Sequence, residues 1–160
     1  MAIFSETDLK DTNIIKVEII IEKSSMDFLS TPDIYLTISH PSSSCPTRTR
    51  HFKNPKLNKP YIFYFICKKN KHIIKHGNEI IVRRLSSKYF TSNELIFNMW
   101  DKDLLIDDNM VSFIVKHNKL DTCPKELIYD NQGYERYKII YSRIDELTDE
   151  LIDRTKIINN

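Results

Sequence analysis

Residues 100–108 read WDKDLLIDD, so two carboxylates stand on each side of three consecutive aliphatic residues. Asp101, Asp103, Asp107 and Asp108 oppose one another's ionisation when crowded, and a divalent cation between them removes that cost. Calcium suits such a set, because it takes about six to eight oxygen ligands, mostly carboxylates with some carbonyls and waters. Two other stretches offer oxygens of the same kind: Asp27 to Asp33 in MDFLSTPD, and the segment holding Asn54. Apolar residues accompany the acids in two distant places. Phe28 and Leu29 follow Asp27, and Leu104, Leu105 and Ile106 follow Asp103.

Other chemistries are poorly furnished. The chain has two glycines, Gly77 and Gly133, so a Gly-rich phosphate loop, a dinucleotide fingerprint and a G-x-S-x-G elbow cannot be written. No nucleophile–base pair is evident, and an enzyme is not expected. Three cysteines (Cys45, Cys67, Cys123) are too few and odd in number for a disulfide framework, which points to reduced thiols. His72 and His76 near Cys67 lack a second cysteine pair and read as a polar face rather than a zinc site. The net charge of +2 selects no partner class. The start, MAIFSETDLKD, lacks the basic and apolar run of a signal peptide, and no apolar stretch approaches the ~20 residues that span a bilayer. A soluble cytoplasmic protein is expected. The wealth of Ile, Lys and Asn suggests an A/T-rich genome, viral or protist.

Holding three oxygen-bearing loops together requires a rigid frame, and the patterning supplies one. Strand-like segments recur at 16–23, 33–39, 47–52, 61–67, 93–100, 110–116, 126–130 and 137–144, many with period-2 alternation. The connections carry Pro, Ser, Asn and Asp, as in STPD, HPSSSCP, KNPKLNKP and DNQG. An all-β, eight-stranded antiparallel β-sandwich follows. In an up-and-down path, alternate loops emerge at the same end, so the three loops would converge. Trp100 and Tyr35 are expected to pack inside. Residues 68–92 hold seven Lys and Arg against one acid, Glu79, and read as a basic insert, either a hairpin turning at 76–78 or a short helix. Ile144, Leu147, Leu151 and Ile158 follow helical spacing, which predicts a C-terminal helix over 145–160 with an acidic wet side. Taken singly, the aspartates read as turn formers, whereas LLI, hemmed by four acids and too short for a paired strand, reads against core.

The strings TPDIYLTIS, TRTRHFKN and WDKD, in that order and spacing, resemble a C2 domain, most of all that of cytosolic phospholipase A2. The resemblance covers roughly residues 14–144, with 1–13 as an N-terminal extension. It implies type II C2 topology and calcium held by three loops at one end of the sandwich. Asp27 and Asp33 then match first-loop ligands, and Thr31 a carbonyl donor. Asn54 matches the second-loop ligand, and Asp101 and Asp103 the third-loop pair, to which the opening stretch adds Asp107. Phe28, Leu29, Leu104, Leu105 and Ile106 fall on the positions that enter the bilayer, with phosphatidylcholine preferred. Arg48 and Arg50 stand where the relative binds anionic lipid. Lys68, Lys69, Lys71, Arg83 and Arg84 of the insert extend that basic surface toward lipid or a protein partner. Ser30 replaces a further first-loop aspartate.

The expected function is a non-catalytic, calcium-dependent phospholipid-binding module. It would associate peripherally with membranes on a calcium rise and stand alone, with no lipase domain and no nucleic-acid partner. The alternative is a C2-fold protein-interaction or regulatory factor, for which the composition suggests a viral source as one option, with reduced or lost calcium dependence.

Overall fold

Alternation gives most strands one apolar row, and stacking two sheets face to face buries both sets of rows at once. The computed structural model describes residues 14–24, 31–70, 72–75, 77–145 and 152–157. In chain order the first elements are β1 (Ile14–Lys23), β2 (Ile34–Ser39), β3 (Thr47–Arg48), β4 (Pro60–Cys67), β5 (His72–Ile74) and β6 (Ile80–Leu85). After them come a one-turn helix α1 (Lys88–Thr91), β7 (Glu94–Asp101), β8 (Asp108–Lys116), β9 (Lys125–Asn131), β10 (Glu135–Ile144) and β11 (Ile152–Ile157). One sheet has the order β6–β4–β1–β10–β9 and the other β3–β2–β7–β8, while β11 and β5 form a separate pair.

The core lies between the two large sheets. Val17, Ile19, Phe63, Phe65 and Ile139 of the first cluster with Leu36, Leu95, Phe97, Met99 and Phe113 of the second. Phe97 is fully buried and stacks on Phe113 at 5.1 Å between ring centres, with Phe65 edge-on at 5.8 Å.

Three expectations are corrected. In the segment 68–92 the chain turns between Gly77 and Ile80, but β5 and β6 do not pair with each other as a hairpin, and helix is confined to the single turn α1. β6 pairs parallel with β4, in a sheet otherwise antiparallel, and β5 pairs with β11. Parallel neighbours need a crossover, and residues 68–79 provide it. Ile74 is buried there with Ile14, Tyr64 and Ile66 on the outer face of the five-stranded sheet. The helix expected over 145–160 is also absent where the chain is described, because Ile152–Ile157 is the strand β11. An edge strand offers a row of unpaired backbone groups, and pairing with β5 outweighs the local helical spacing. Finally, Tyr35 and Trp100 do not point into the sandwich. Ile34, Leu36 and Ile38 take the inner row of β2, and Leu95, Phe97 and Met99 that of β7. The two rings therefore stack on the outer face, 6.3 Å apart, and Trp100 Nε1 donates to Thr37 Oγ1.

The strand expected over 47–52 shortens to Thr47–Arg48. Beyond it the chain still follows β2 through Thr49 N–H to Leu36 O and Phe52 N–H to Ile34 O. The Thr49 hydroxyl takes the Leu36 N–H at 3.0 Å, where a ladder carbonyl would otherwise accept it.

Candidate functional site

Residues 31–33 ahead of β2, the segment holding Asn54 and the loop that follows β7 meet at one end of the sandwich, and Asp33 is the knot. Its N–H donates to Asp101 Oδ1 at 3.0 Å, its Oδ1 accepts the Asn54 N–H at 2.7 Å, and its carbonyl accepts the Lys102 N–H at 2.9 Å. Thr31 Oγ1 donates to the Pro55 carbonyl, tying the first loop to the second. Asn54 presents its amide from a left-handed conformation (φ 50°), which asparagine adopts more readily than most residues. Asp27, Phe28, Leu29 and Ser30 lie outside the described residues.

The third loop is folded around its own acids. Asp103 N–H donates to Asp107 Oδ1 at 2.9 Å, and Leu104 N–H to Asp103 Oδ1 at 2.7 Å. Short polar side chains that bond nearby backbone in this way build turns. The turn lifts Leu104, Leu105 and Ile106 out of the protein, with 99%, 95% and 77% of their surfaces exposed. LLI is therefore not core.

The electrostatics divide the acids into two kinds. Burial first, then the negative charges of Asp33, Asp103 and Asp108, raise the Asp101 carboxyl above the usual carboxylate range, against the pull of the Asp33 N–H. Asp107 moves the opposite way. The Tyr35 hydroxyl donates to its Oδ2 at 2.5 Å, and together with the Asp103 N–H and the Arg48 guanidinium holds it below that range. Arg48 lies 3.6 Å from the same oxygen and 4.0 Å above the Tyr35 ring. Burial, reinforced by the bond to Asp107, pushes the Tyr35 hydroxyl up to about 12.

Sequence reasoning missed Tyr35 as the residue that holds Asp107. The signal was present in the register, since Tyr35 alternates with Ile34 and Leu36 and so faces outward on β2. Its neighbour on that strand, Thr37, pairs with Arg48. Tyr35→Phe is expected to cost about 1 kcal/mol, the ordinary net value of one hydrogen bond. The unfolding midpoint in denaturant checks this, and an unchanged midpoint would mean that the bond contributes nothing.

The donor chemistry fits a hard cation, since every candidate atom is oxygen and Asp101 is crowded by like charge. Asp33 and Asp101 converge, Asp103 lies close enough to perturb Asp101, and Asp107 is already engaged by Tyr35 and Arg48. Among the described residues no group of three or more His, Cys, Asp or Glu side chains is placed to hold a metal ion.

The basic residues do not form one patch. Arg48 and Arg50 line a cleft with Arg83, whose Nε donates to the Arg48 carbonyl at 3.0 Å. Lys68 and Lys69 are exposed just after β4. Arg84 is turned away, donating to the Asn70 carbonyl, with its pKa lowered by burial. Lys71 lies outside the described residues. No helix among the described residues is long and apolar enough to cross a membrane.

Two stacked sheets, one built around β1 between β4 and β10 and the other around β2 and β7, with oxygen-bearing segments gathered at one end, define a C2-like β-sandwich. No family model matches the chain, and no curated protein matches it by sequence. Its neighbours among solved structures are C2 domains or chains that carry them. Human GIVD cytosolic phospholipase A2 is similar at 15% identity, over 89% of this chain and 17% of that one, with a TM-score of 0.41. The C2A and C2B domains of extended synaptotagmin 2 are similar at 12% identity, over 89% of this chain and 43% of that one, with a TM-score of 0.42. BON1-C2B is similar at 12% identity, over 89% of this chain and 99% of that one, with a TM-score of 0.45. The chain thus spans under a fifth of the phospholipase it matches.

Proposed function

We propose that this C2-like module docks reversibly on phospholipid membranes through the tip Leu104–Ile106, and that calcium promotes the docking. The carrying observation is the tip itself, three consecutive aliphatic residues standing almost wholly in water between two acids. An isolated exposed leucine is ordinary, but an apolar tip held out by dedicated hydrogen bonds is suited to a lipid interface.

The acids explain why docking would be conditional. Bringing Asp101, Asp103 and Asp33 toward lipid strips water from clustered negative charge, which is costly. Calcium, when bound, supplies the opposing charge at that end of the sandwich. Asp33 and Asp101, which the Asp33 N–H brings together, would hold it, with Asp103, Asn54, Thr31 and Asp27 as the further donors the resemblance implies. Asp107, pinned by Tyr35 and Arg48, keeps the loop in shape. With an aliphatic tip and no lysine or arginine in it, the surface suits zwitterionic phosphatidylcholine better than anionic lipid. Within the cell the protein would be cytoplasmic and peripheral.

Sedimentation with phosphatidylcholine vesicles, in calcium and in chelator, tests this reading. Calcium is expected to move the protein into the pellet and chelator to release it. Equal pelleting in both would remove the calcium dependence and leave the docking. One observation favours a second reading, a protein-interaction factor that needs no calcium: Arg48 already cancels part of the third loop's charge from within. Absence from the vesicle pellet under both conditions would favour it.

A further inference from the structure

The insert strand β6 extends the five-stranded sheet past β4 and so creates a slot that a plain sandwich would not have. Its walls are Ile80 to Arg83 on one side and residues 48–53 of the other sheet's edge on the other, and it encloses about 990 Å³. Arg48, Arg50, His51, Lys53 and Arg83 line it, and among the described residues no carboxylate does. The nearest insert acid, Glu79, is paired with Lys59 at 2.5 Å.

The backbone of β6 is as informative as its charge. Ile62 N–H bonds to Glu79 O and Lys68 N–H to Leu85 O. In a parallel ladder this phase commits alternate residues to β4 and turns the backbone groups of the intervening residues, Val82 among them, to the outer edge. β6 is the last strand of its sheet, and among the described residues no strand covers that edge. Exposed edges are normally blunted by charge, bulges or proline; IIVRRL has no proline, and its only charges are two arginines, which discourage a basic or neutral strand but not an acidic one.

We infer that the slot is a docking site for an extended acidic peptide, which adds to the outer edge of β6 as a further strand. Backbone bonds to Val82 give the register, as in other strand additions. Carboxylates of the peptide meet Arg50, Lys53 and the guanidinium nitrogens of Arg83 not bonded to Arg48, in the bidentate geometry arginine favours. Ile81 and Phe52 supply an apolar floor. A lipid headgroup would use the cations but would leave the row of edge groups unanswered, and this favours a peptide. The inference is independent of calcium and of the tip.

Anisotropy of a fluorescein-labelled peptide alternating glutamate and valine is the test, with a glutamine–valine peptide as control. The acidic peptide is expected to bind, and the control to bind about tenfold more weakly, as is Arg83→Gln with the acidic peptide. Val82→Pro removes an N–H that the β4 ladder does not use, so the fold should persist while peptide binding is lost. Undiminished binding by Val82→Pro overturns the inference, since the cations alone would then hold the ligand. So does equal binding of the two peptides, or binding of phosphatidylserine vesicles with no binding of the peptide. Should Val82→Pro unfold, amide exchange in the unsubstituted protein decides. Slowed exchange at Val82 on adding the peptide supports strand addition, and unchanged exchange overturns it.

Discussion

Replacing Leu104, Leu105 and Ile106 together by serine is expected to weaken vesicle binding by about two to three orders of magnitude while leaving the fold untouched. Complete burial of one such side chain is worth about 1.5–3 kcal/mol. Partial insertion of three yields about 3–4 kcal/mol, and each 1.4 kcal/mol is about tenfold in affinity. The folded protein loses almost nothing, because these side chains start from water. Surface changes of this kind stay within about 0.5 kcal/mol, which moves the melting temperature by about two degrees at most for a chain of this size. Sedimentation and calorimetry on the same sample read both quantities. Vesicle binding that survives the triple substitution would remove the tip as anchor. A large fall in melting temperature would mean that these residues support the core.

The parts of this arrangement that could be read from the sequence are those governed by alternation. Leu95, Phe97 and Met99 form one row and Ile96, Asn98 and Trp100 the other, and that pattern alone describes β7. The same pattern already put Trp100 opposite the core row, so the expectation that it packs inside set residue size above register. The insert was opaque for a different reason. Whether IIVRRL pairs with its neighbour β5 or returns alongside β4 depends on which surface needs cover, and Tyr64 and Ile66 on the outer face of the sheet supply that need. Nothing local to residues 68–92 records it. The C-terminal segment failed in the same way, because its partner, β5, lies some eighty residues earlier in the chain. At the candidate site, acids and apolar residues were visible as types. The division of labour between Asp101 and Asp107 was not, because it is set by Tyr35 and Arg48, which come from other strands.

That division makes Asp101→Asn the sharpest test of the metal reading. In the folded protein the Asp101 carboxyl is raised by burial and by neighbouring negative charge. The native state therefore holds this proton more readily than the unfolded chain does. Stability consequently falls as pH rises from the unfolded value through the raised folded one, and the loss persists in full at neutral pH. Asparagine cannot ionise, yet its Oδ1 can still accept the Asp33 N–H. In chelator, the variant is thus expected to melt higher than the unsubstituted protein at neutral pH, and to show a shallower decline from acid to neutral pH. In calcium the order reverses. Losing one charged ligand should weaken the metal by at least about a hundredfold, the upper range for merely supporting groups, so the calcium-induced rise in melting temperature disappears. A variant less stable in chelator would show that the negative charge itself supports the fold. A retained calcium shift would remove Asp101 from the ligands. The serine triple variant should behave in the complementary way, keeping the calcium shift and losing the vesicles. Only a device in which charge cancellation and apolar anchorage are separate steps predicts both results, because a tip that merely packed against a protein partner would make neither loss depend on calcium.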